Sequence, residues 1–348
     1  MANDVLSSAK KNKADEFYTQ LSDIEQELKH YKEHFRGKIV FCNCDDPYES
    51  NFFKYFAINF NHLGLKKLIA TCYDSSPIAF EQKSLFADVQ PKLSVNYDRH
   101  AYKIEINEVQ DYNNDGAVDL SDVKYLLKNG QNNLTLLKGN GDFRSEECIE
   151  LLKQVDIVVT NPPFSLFREY IAQLVEYDKK FIIIGNKNAI TYKEVFSLLK
   201  NDLCWLGYRN INSDMWFVVP ENYKYEKIVD GKKVKHIMGC WFTNLDTTKR
   251  HTSMSFYKRY NPNEFPKYDN YDAINVDKVS DIPEDYFGVM GVPITFLDQY
   301  NPEQFEIIDL NPHFFSLIEQ GLPKLKQLTL KSVGRKDPYA RVLIRRKL

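Results

Sequence analysis

Short apolar runs recur along the first two-thirds of the chain, and most are followed by a stretch whose apolar positions fall at helical spacing. The runs Lys38 to Cys42, Leu68 to Cys72, Leu134 to Leu137, Asp156 to Thr160 and Phe181 to Ile184 have the length and composition of buried strands. Between them, Asn51 to Phe60, Ser145 to Lys153, Leu166 to Glu176 and Tyr192 to Leu199 read as amphipathic helices. This alternation predicts an α/β fold with a doubly wound, mostly parallel sheet, in which ligands sit beyond the carboxyl ends of the strands. The first 36 residues read as helical, with Ile24, Leu28 and Tyr31 on one stripe. From about residue 208 the pattern loosens into strand-like pieces at Trp216 to Val219 and Cys240 to Thr243, and residues 261–302 read as turn-rich. The expected division is an N-terminal helical segment (1–36), a sheet domain (37–245) and a smaller C-terminal module (246–348).

Composition narrows this picture. With 348 residues, 43% hydrophobic and 27% charged, the chain is an ordinary globular protein large enough for one large domain and a smaller one. No apolar stretch approaches the ~20 residues of a membrane span, and Met1 to Lys13 lacks the apolar core of a secretory leader. The six cysteines are scattered without a Cys-x-x-Cys pair, which argues for reduced thiols, against zinc, and for a reducing cytoplasm. Net charge is only −2, yet from Lys324 onward nine basic residues face a single acid, Asp337. Such a tail is either a solvated end or a phosphate-tracking surface.

The sharpest chemistry follows the run ending at Thr160. Asn161-Pro162-Pro163-Phe164 places a side-chain amide and an aromatic ring on a turn whose two prolines fix the torsions and remove two N–H donors. The Asn161 oxygen and the Pro162 carbonyl are two acceptors, and Phe164 offers a flat apolar face. Together they suit a planar amino group carried on an aromatic ring.

Several segments resemble the EcoRI-type adenine-specific DNA methyltransferases. They are Asp15 to Thr19 (DEFYT), Phe41 to Pro47 (FCNCDDP), Gly141 to Ser145 (GDFRS), Asn161 to Tyr170 (NPPFSLFREY) and Gly288 to Phe296 (GVMGVPITF), so the likeness spans nearly the whole chain. The resemblance implies a Rossmann-like sheet with a C-terminal recognition module, S-adenosylmethionine as methyl donor, and an adenine in a short double-stranded DNA site as acceptor. That adenine must be extruded from the duplex to be reached. It implies catalytic roles for Asn161, Pro162, Pro163 and Phe164, with Phe164 stacking on the base and Trp216 or Phe217 as candidates for its other face. On the cofactor side it points to Asp142 and Phe143, to Asn43 and Asp45 after the first strand, and to Asp74 after the second. Phe17, Tyr18 and Thr19 resemble an N-terminal element that closes over the methionine end. Unlike most methyltransferases, the loop Asn43 to Ser50 holds no glycine, so side chains there replace backbone contacts. A modification enzyme with a separate restriction endonuclease, or an orphan or phage relative, and a GAATTC-like target are family-based expectations. Two rivals remain open: a methyltransferase of RNA adenine or protein glutamine, whose members as a rule carry Tyr at the position of Phe164, and an inactive DNA-binding relative.

One further motif lies outside this picture. Asp111, Asn113, Asp115, Asp119 and Asp122 occupy positions 1, 3, 5, 9 and 12 of an EF-hand-like loop with Gly116 at position 6. It reads either as a structural calcium or magnesium site or as a self-capped Asx turn opening a helix at Val123 to Lys128.

Overall fold

A computed structural model describes residues 17–44, 47, 50–73, 101–128, 135–213, 215–219, 223–229, 231–321, 327–336 and 338–347. The chain falls into two compact units, residues 1–187 with 213–245, and residues 188–212 with 246–348.

In the first unit, β1 (Tyr18–Thr19), α1 (Leu21–Leu28) and α2 (Lys32–Phe35) precede β2 (Ile39–Cys42). Helices α3 (Asn51–Ile58) and α4 (Phe60–Leu63) lead to β3 (Lys67–Thr71), and β4 (Tyr102–Ile106), α5 (Leu120–Lys128), β5 (Thr135–Leu136) and α6 (Glu146–Gln154) follow. Then come β6 (Ile157–Thr160), α7 (Phe167–Glu176) and β7 (Lys180–Asn186). After residue 213 the unit resumes with β8 (Trp216–Val218), β9 (Lys227–Val229), β10 (Lys232–His236) and β11 (Gly239–Thr243). Its main sheet runs β5-β4-β3-β2-β6-β7-β11. The central strands β3, β2, β6 and β7 are parallel, while β4, β5 and β11 are antiparallel to their neighbours. The fold is therefore mixed α/β, with a parallel centre.

The centre forms where the sequence is most apolar. Ile157, Val158, Val159 and Thr160 are all buried, as a strand covered on both faces requires. Two of the helices, α3 and α6, begin at a serine whose side chain accepts an early amide. Ser50 Oγ accepts from Phe53 N at 3.3 Å, and Ser145 Oγ accepts from Cys148 N at 3.3 Å with Glu146 and Glu147 in the first turn.

The N-terminal stretch is helical over α1 and α2, as expected, and departs from that expectation at Tyr18 and Thr19. Tyr18 and Thr19 pair antiparallel with Val218 and Phe217, starting a second sheet in the order β1-β8-β10-β9. The expected strand over 134–137 shrinks to Thr135–Leu136, and Leu134 lies outside the described residues.

The second unit holds α8 (Lys193–Lys200), β12 (Ile274–Asn275), β13 (Val289–Pro293), β14 (Phe305–Asn311), α9 (Phe315–Glu319) and β15 (Arg341–Arg346). Its sheet runs β12-β13-β15-β14, so β15 is central and Val342, Leu343 and Ile344 are completely buried. Three strands, β12, β13 and β15, thus lie inside regions read as turns or tail. The basic residues of that tail are largely tied down. Arg335 and Arg341 reach Asp277 at 3.1 and 3.8 Å, Arg345 pairs with Glu306, Arg346 donates to the Glu284 carbonyl, and Lys347 donates to the Pro302 carbonyl at 2.6 Å. Lys324, Lys326 and Asp337 lie outside the described residues. All six cysteines are free thiols. Among the described residues no helix is long and apolar enough to cross a membrane.

Candidate active site

Strands β2 and β6 lie side by side, Val40 beside Ile157 and Phe41 beside Val158. The chain leaves β2 toward β3 on one side, while β6 flanks β2 on the other, so the strand order reverses between β2 and β6. Crevices at such reversals are where open α/β sheets bind ligands. Asn43 follows β2 and Asn161 follows β6, so the two asparagines share the mouth of this crevice. Two bonds hold them there. The Thr160 hydroxyl donates to the Asn43 carbonyl, and the Tyr170 hydroxyl on α7 donates to Asn43 Oδ1. Burial pushes the Tyr170 hydroxyl far above its usual range, so it stays a neutral donor.

Asn161 is 4% exposed. Its Nδ2 donates to the Phe17 carbonyl at 2.6 Å, which sets the amide orientation, because the reverse would face oxygen against oxygen. Asn161 Oδ1 is then buried with no hydrogen-bond partner. A buried acceptor in that condition costs about 1–3 kcal/mol, so it marks a place for a donor that the chain does not supply. The Pro163 carbonyl accepts from Leu166 N at 3.0 Å and closes the turn, a bond in which the Pro162 carbonyl takes no part.

Aromatic rings wall this turn. Phe164, 6% exposed, meets Phe17 and Phe217 edge-on at 6.1 and 6.2 Å between centroids. Phe17 also meets Phe217 at 6.3 Å and Tyr223 at 5.4 Å. Asn161, Pro162, Pro163, Phe164, Phe17 and Phe217 are therefore brought together. Trp216 is not, because successive strand residues face opposite sides. It lies with Tyr18, Val218 and Val234 on the far face of β8, with the Lys227 ammonium 3.5 Å from its ring centre. Thr19 is buried, its carbonyl accepts from Asn51 Nδ2 at 2.7 Å, and its hydroxyl has no partner.

The other wall is the loop 139–143. Gly141 has φ +76°, and a Cβ there would stand 2.0 Å from the Cys72 carbonyl oxygen, so only glycine lets this loop lie against the end of β3. Phe143 packs edge-on against Tyr170 at 4.9 Å. The Asp142 carboxylate is gripped by Arg144, Nε at 2.9 Å and Nη2 at 2.7 Å, while Arg144 Nη1 reaches Glu169 at 2.9 Å. These bonds, Asp142 foremost, raise the guanidinium pKa still further and keep it charged. The Thr71 hydroxyl, at the end of β3, is buried without a partner. Asp45 and Asp74 lie outside the described residues. Sequence reasoning missed Thr160 and Tyr170 as supports and missed that Phe17 holds Asn161. The first two were signalled only by position, one residue before Asn161 and on the apolar stripe of α7.

The loop 111–122 closes on its own backbone. Asp111 accepts from the amides of Asp115 and Gly116 at 3.2 and 2.8 Å, Asp115 from Ala117 at 3.0 Å, and Asp119 from Ser121 at 2.6 Å. Asn113 accepts from Asp115 at 2.9 Å. Asp122, fully buried, accepts from Tyr112, Asn113 and Asp119 at 2.7, 3.4 and 2.9 Å. Among the described residues no three His, Cys, Asp or Glu side chains converge as a metal-binding group. The arrangement is that of a self-capped helix start. Asp122→Ala is expected to lower the thermal unfolding midpoint, by an amount equivalent to about 2 kcal/mol for the lost cap and stranded amides. Calorimetry at millimolar calcium is expected to give no binding heat from this loop. A heat that Asp111→Ala removes would overturn that expectation.

Comparison with known proteins agrees with the geometry. Residues 5–347 match the family described as adenine-specific methyltransferase EcoRI. The Type II methyltransferase M.EcoRI of Escherichia coli is 48% identical over 99% of this chain and 97% of its own length. M.MpnI of Mycoplasma pneumoniae and M.MgeORF184P of Mycoplasma genitalium are 38% and 37% identical, each over 97% of both chains. No solved structure matches the chain. An Asn-Pro-Pro-Phe turn with an open acceptor, at a strand-order reversal, in a chain matched end to end by this family, leads to one conclusion: the protein belongs to the EcoRI family of adenine-specific methyltransferases and is a DNA adenine methyltransferase.

Proposed function

We propose that the chain transfers a methyl group from S-adenosylmethionine to the exocyclic amino group of an adenine extruded from a short double-stranded recognition sequence. The buried, unpartnered Asn161 Oδ1 carries this reading. The adenine amino group has two hydrogens, and Asn161 Oδ1 with the Pro162 carbonyl accept them. Holding both draws the nitrogen toward a tetrahedral shape and frees its lone pair from the ring. The two acceptors gain as positive charge builds on that nitrogen, so they favour the transition state over the ground state. Asparagine keeps the site neutral, and proton loss follows transfer. Phe164 stacks on the extruded base, with Phe217 the supporting ring behind it.

The parallel strands β3, β2, β6 and β7 with the reversed β11 support a Rossmann-like methyltransferase sheet. The residues fit the cofactor. Gly141 seats the loop against the end of β3, Phe143 on that loop is an apolar surface, and the Thr19 and Thr71 hydroxyls are buried without partners. Bound there, S-adenosylmethionine supplies an electrophilic methyl carbon. Asp142, Phe143 and Asn43, with Asp45 and Asp74, hold it, and Phe17 and Thr19 cover it, whereas Tyr18 turns to the far face of β8 with Val218 and Val234. Residues 246–348 form the target-recognition region, and the enzyme works as the modification partner of a separate restriction endonuclease.

The test is a panel of acceptors offered with labelled S-adenosylmethionine: duplex DNA, RNA of the same sequence, and a glutamine-containing protein. Label is expected in duplex DNA as methyladenine. Label confined to RNA or protein would overturn the reading.

A further inference from the structure

The ribbon that supplies Phe217 continues away from the site as β9 and β10. Directly opposed residues of an antiparallel pair share a face, as do residues two apart on one strand. Lys235 opposes Phe217, and Ile228 opposes Lys233. One face therefore runs Phe217, Lys235, Lys233, Ile228. The opposite face buries Tyr18, Val218 and Val234 in a small apolar core.

The first face starts at the wall of the Asn-Pro-Pro-Phe turn and leaves it as lysines set over tyrosine rings. The Lys235 ammonium lies 5.0 Å from the Tyr223 ring centre, and Tyr223 itself packs on Phe17. The Lys233 ammonium lies 5.3 Å from the Tyr225 ring centre. Tyr225 and Ile228 are 43% and 59% exposed, and Lys224, Lys227 and Lys232 add further exposed cations to the same hairpin. Lys233 and Lys235, each over a tyrosine ring on the face that Phe217 starts, suit a polyanion with stacked rings, since lysines release counterions from phosphates and aromatic rings contact bases or sugars.

We infer that the Lys233–Lys235 face of this hairpin is a phosphate platform of the catalytic unit itself, gripping the duplex DNA backbone beside the extruded adenine. The inference rests on the function proposed above. The partner is a nucleic-acid backbone read by charge, so the contact contributes affinity without sequence preference.

The experiment measures duplex DNA affinity by fluorescence anisotropy across a salt series, for the wild type and for Lys233→Gln with Lys235→Gln. Calorimetry with S-adenosylhomocysteine on the same preparations reports an intact fold. The expected result is a salt slope shallower by about 1.8, the value for two lost phosphate contacts, with equal losses of affinity for target and unrelated duplexes. Lys233→Arg with Lys235→Arg is expected to restore the slope. Unchanged slope and affinity in the glutamine variant, with cofactor-product binding intact, would overturn the inference alone. A wild-type chain with no affinity for duplex DNA would overturn the reading beneath it.

Discussion

Asn161→Ala is expected to slow single-turnover methyl transfer by about 100- to 1,000-fold, the scale of losing one preorganised partner of a developing charge. Two separable effects stand behind that figure. The variant removes the open Oδ1 acceptor, which acts on the chemical step. It also removes the Nδ2 bond to the Phe17 carbonyl, which positions the segment Phe17 to Thr19. Binding of S-adenosylhomocysteine separates the two, since the first effect leaves affinity unchanged and the second weakens it. Asn161→Asp sharpens the comparison. Aspartate keeps an acceptor but offers no donor, and its carboxylate would face the Phe17 carbonyl. It is therefore expected to lose cofactor-product affinity more than alanine does. A variant Asn161→Ala with wild-type single-turnover rate would remove the open acceptor from the account.

Gly141→Ala is expected to be the most damaging single methyl group that can be added near the site. A left-handed conformation costs a non-glycine residue roughly 1–2 kcal/mol. Beyond that, the new Cβ would lie 2.0 Å from the Cys72 carbonyl oxygen, a backbone atom, and 2.9 Å from Ala101 Cβ, a side-chain atom that no rotamer can move away. The loop must lift from β3, taking Asp142 and Phe143 with it. The total is expected to reach about 3 kcal/mol or more of stability, with cofactor-product affinity falling at least roughly 10-fold. Gly231→Ala is the matched control. Its φ is +75° with nothing within 4 Å of a Cβ, so it is expected to show the conformational cost alone. Equal effects of the two substitutions would contradict the close approach of the loop to β3.

The parts of this molecule that sequence made readable are those fixed by local pattern. An apolar run of β-branched residues before Asn161 is a buried strand wherever it lies, and Ser145 ahead of Glu146 and Glu147 starts a helix by its own chemistry. The parts that stayed hidden depend on partners far along the chain. Tyr18 and Thr19 are a strand only because Val218 and Phe217 pair with them, so a helical reading of the N-terminal stretch was the natural one. The same distance hides the Asn161–Phe17 bond, 144 residues apart. Arg341 to Arg346 read as a basic tail because its charges are conspicuous, yet Val342, Leu343 and Ile344 between them make it the central strand of a sheet. The grip of Arg144 on Asp142 was close in sequence and still unread, because a carboxylate beside a strand end suggests a ligand before it suggests its neighbour.

The most direct test of the central claim is base-resolved methylation mapping of plasmid DNA recovered from a host without its own adenine methylation, expressing either the wild-type chain or Asn161→Ala. Methyladenine at every copy of one short motif with the wild type, and at almost none with the variant, is the result expected. Unmodified DNA from the wild type, or modification that persists without Asn161, would contradict it.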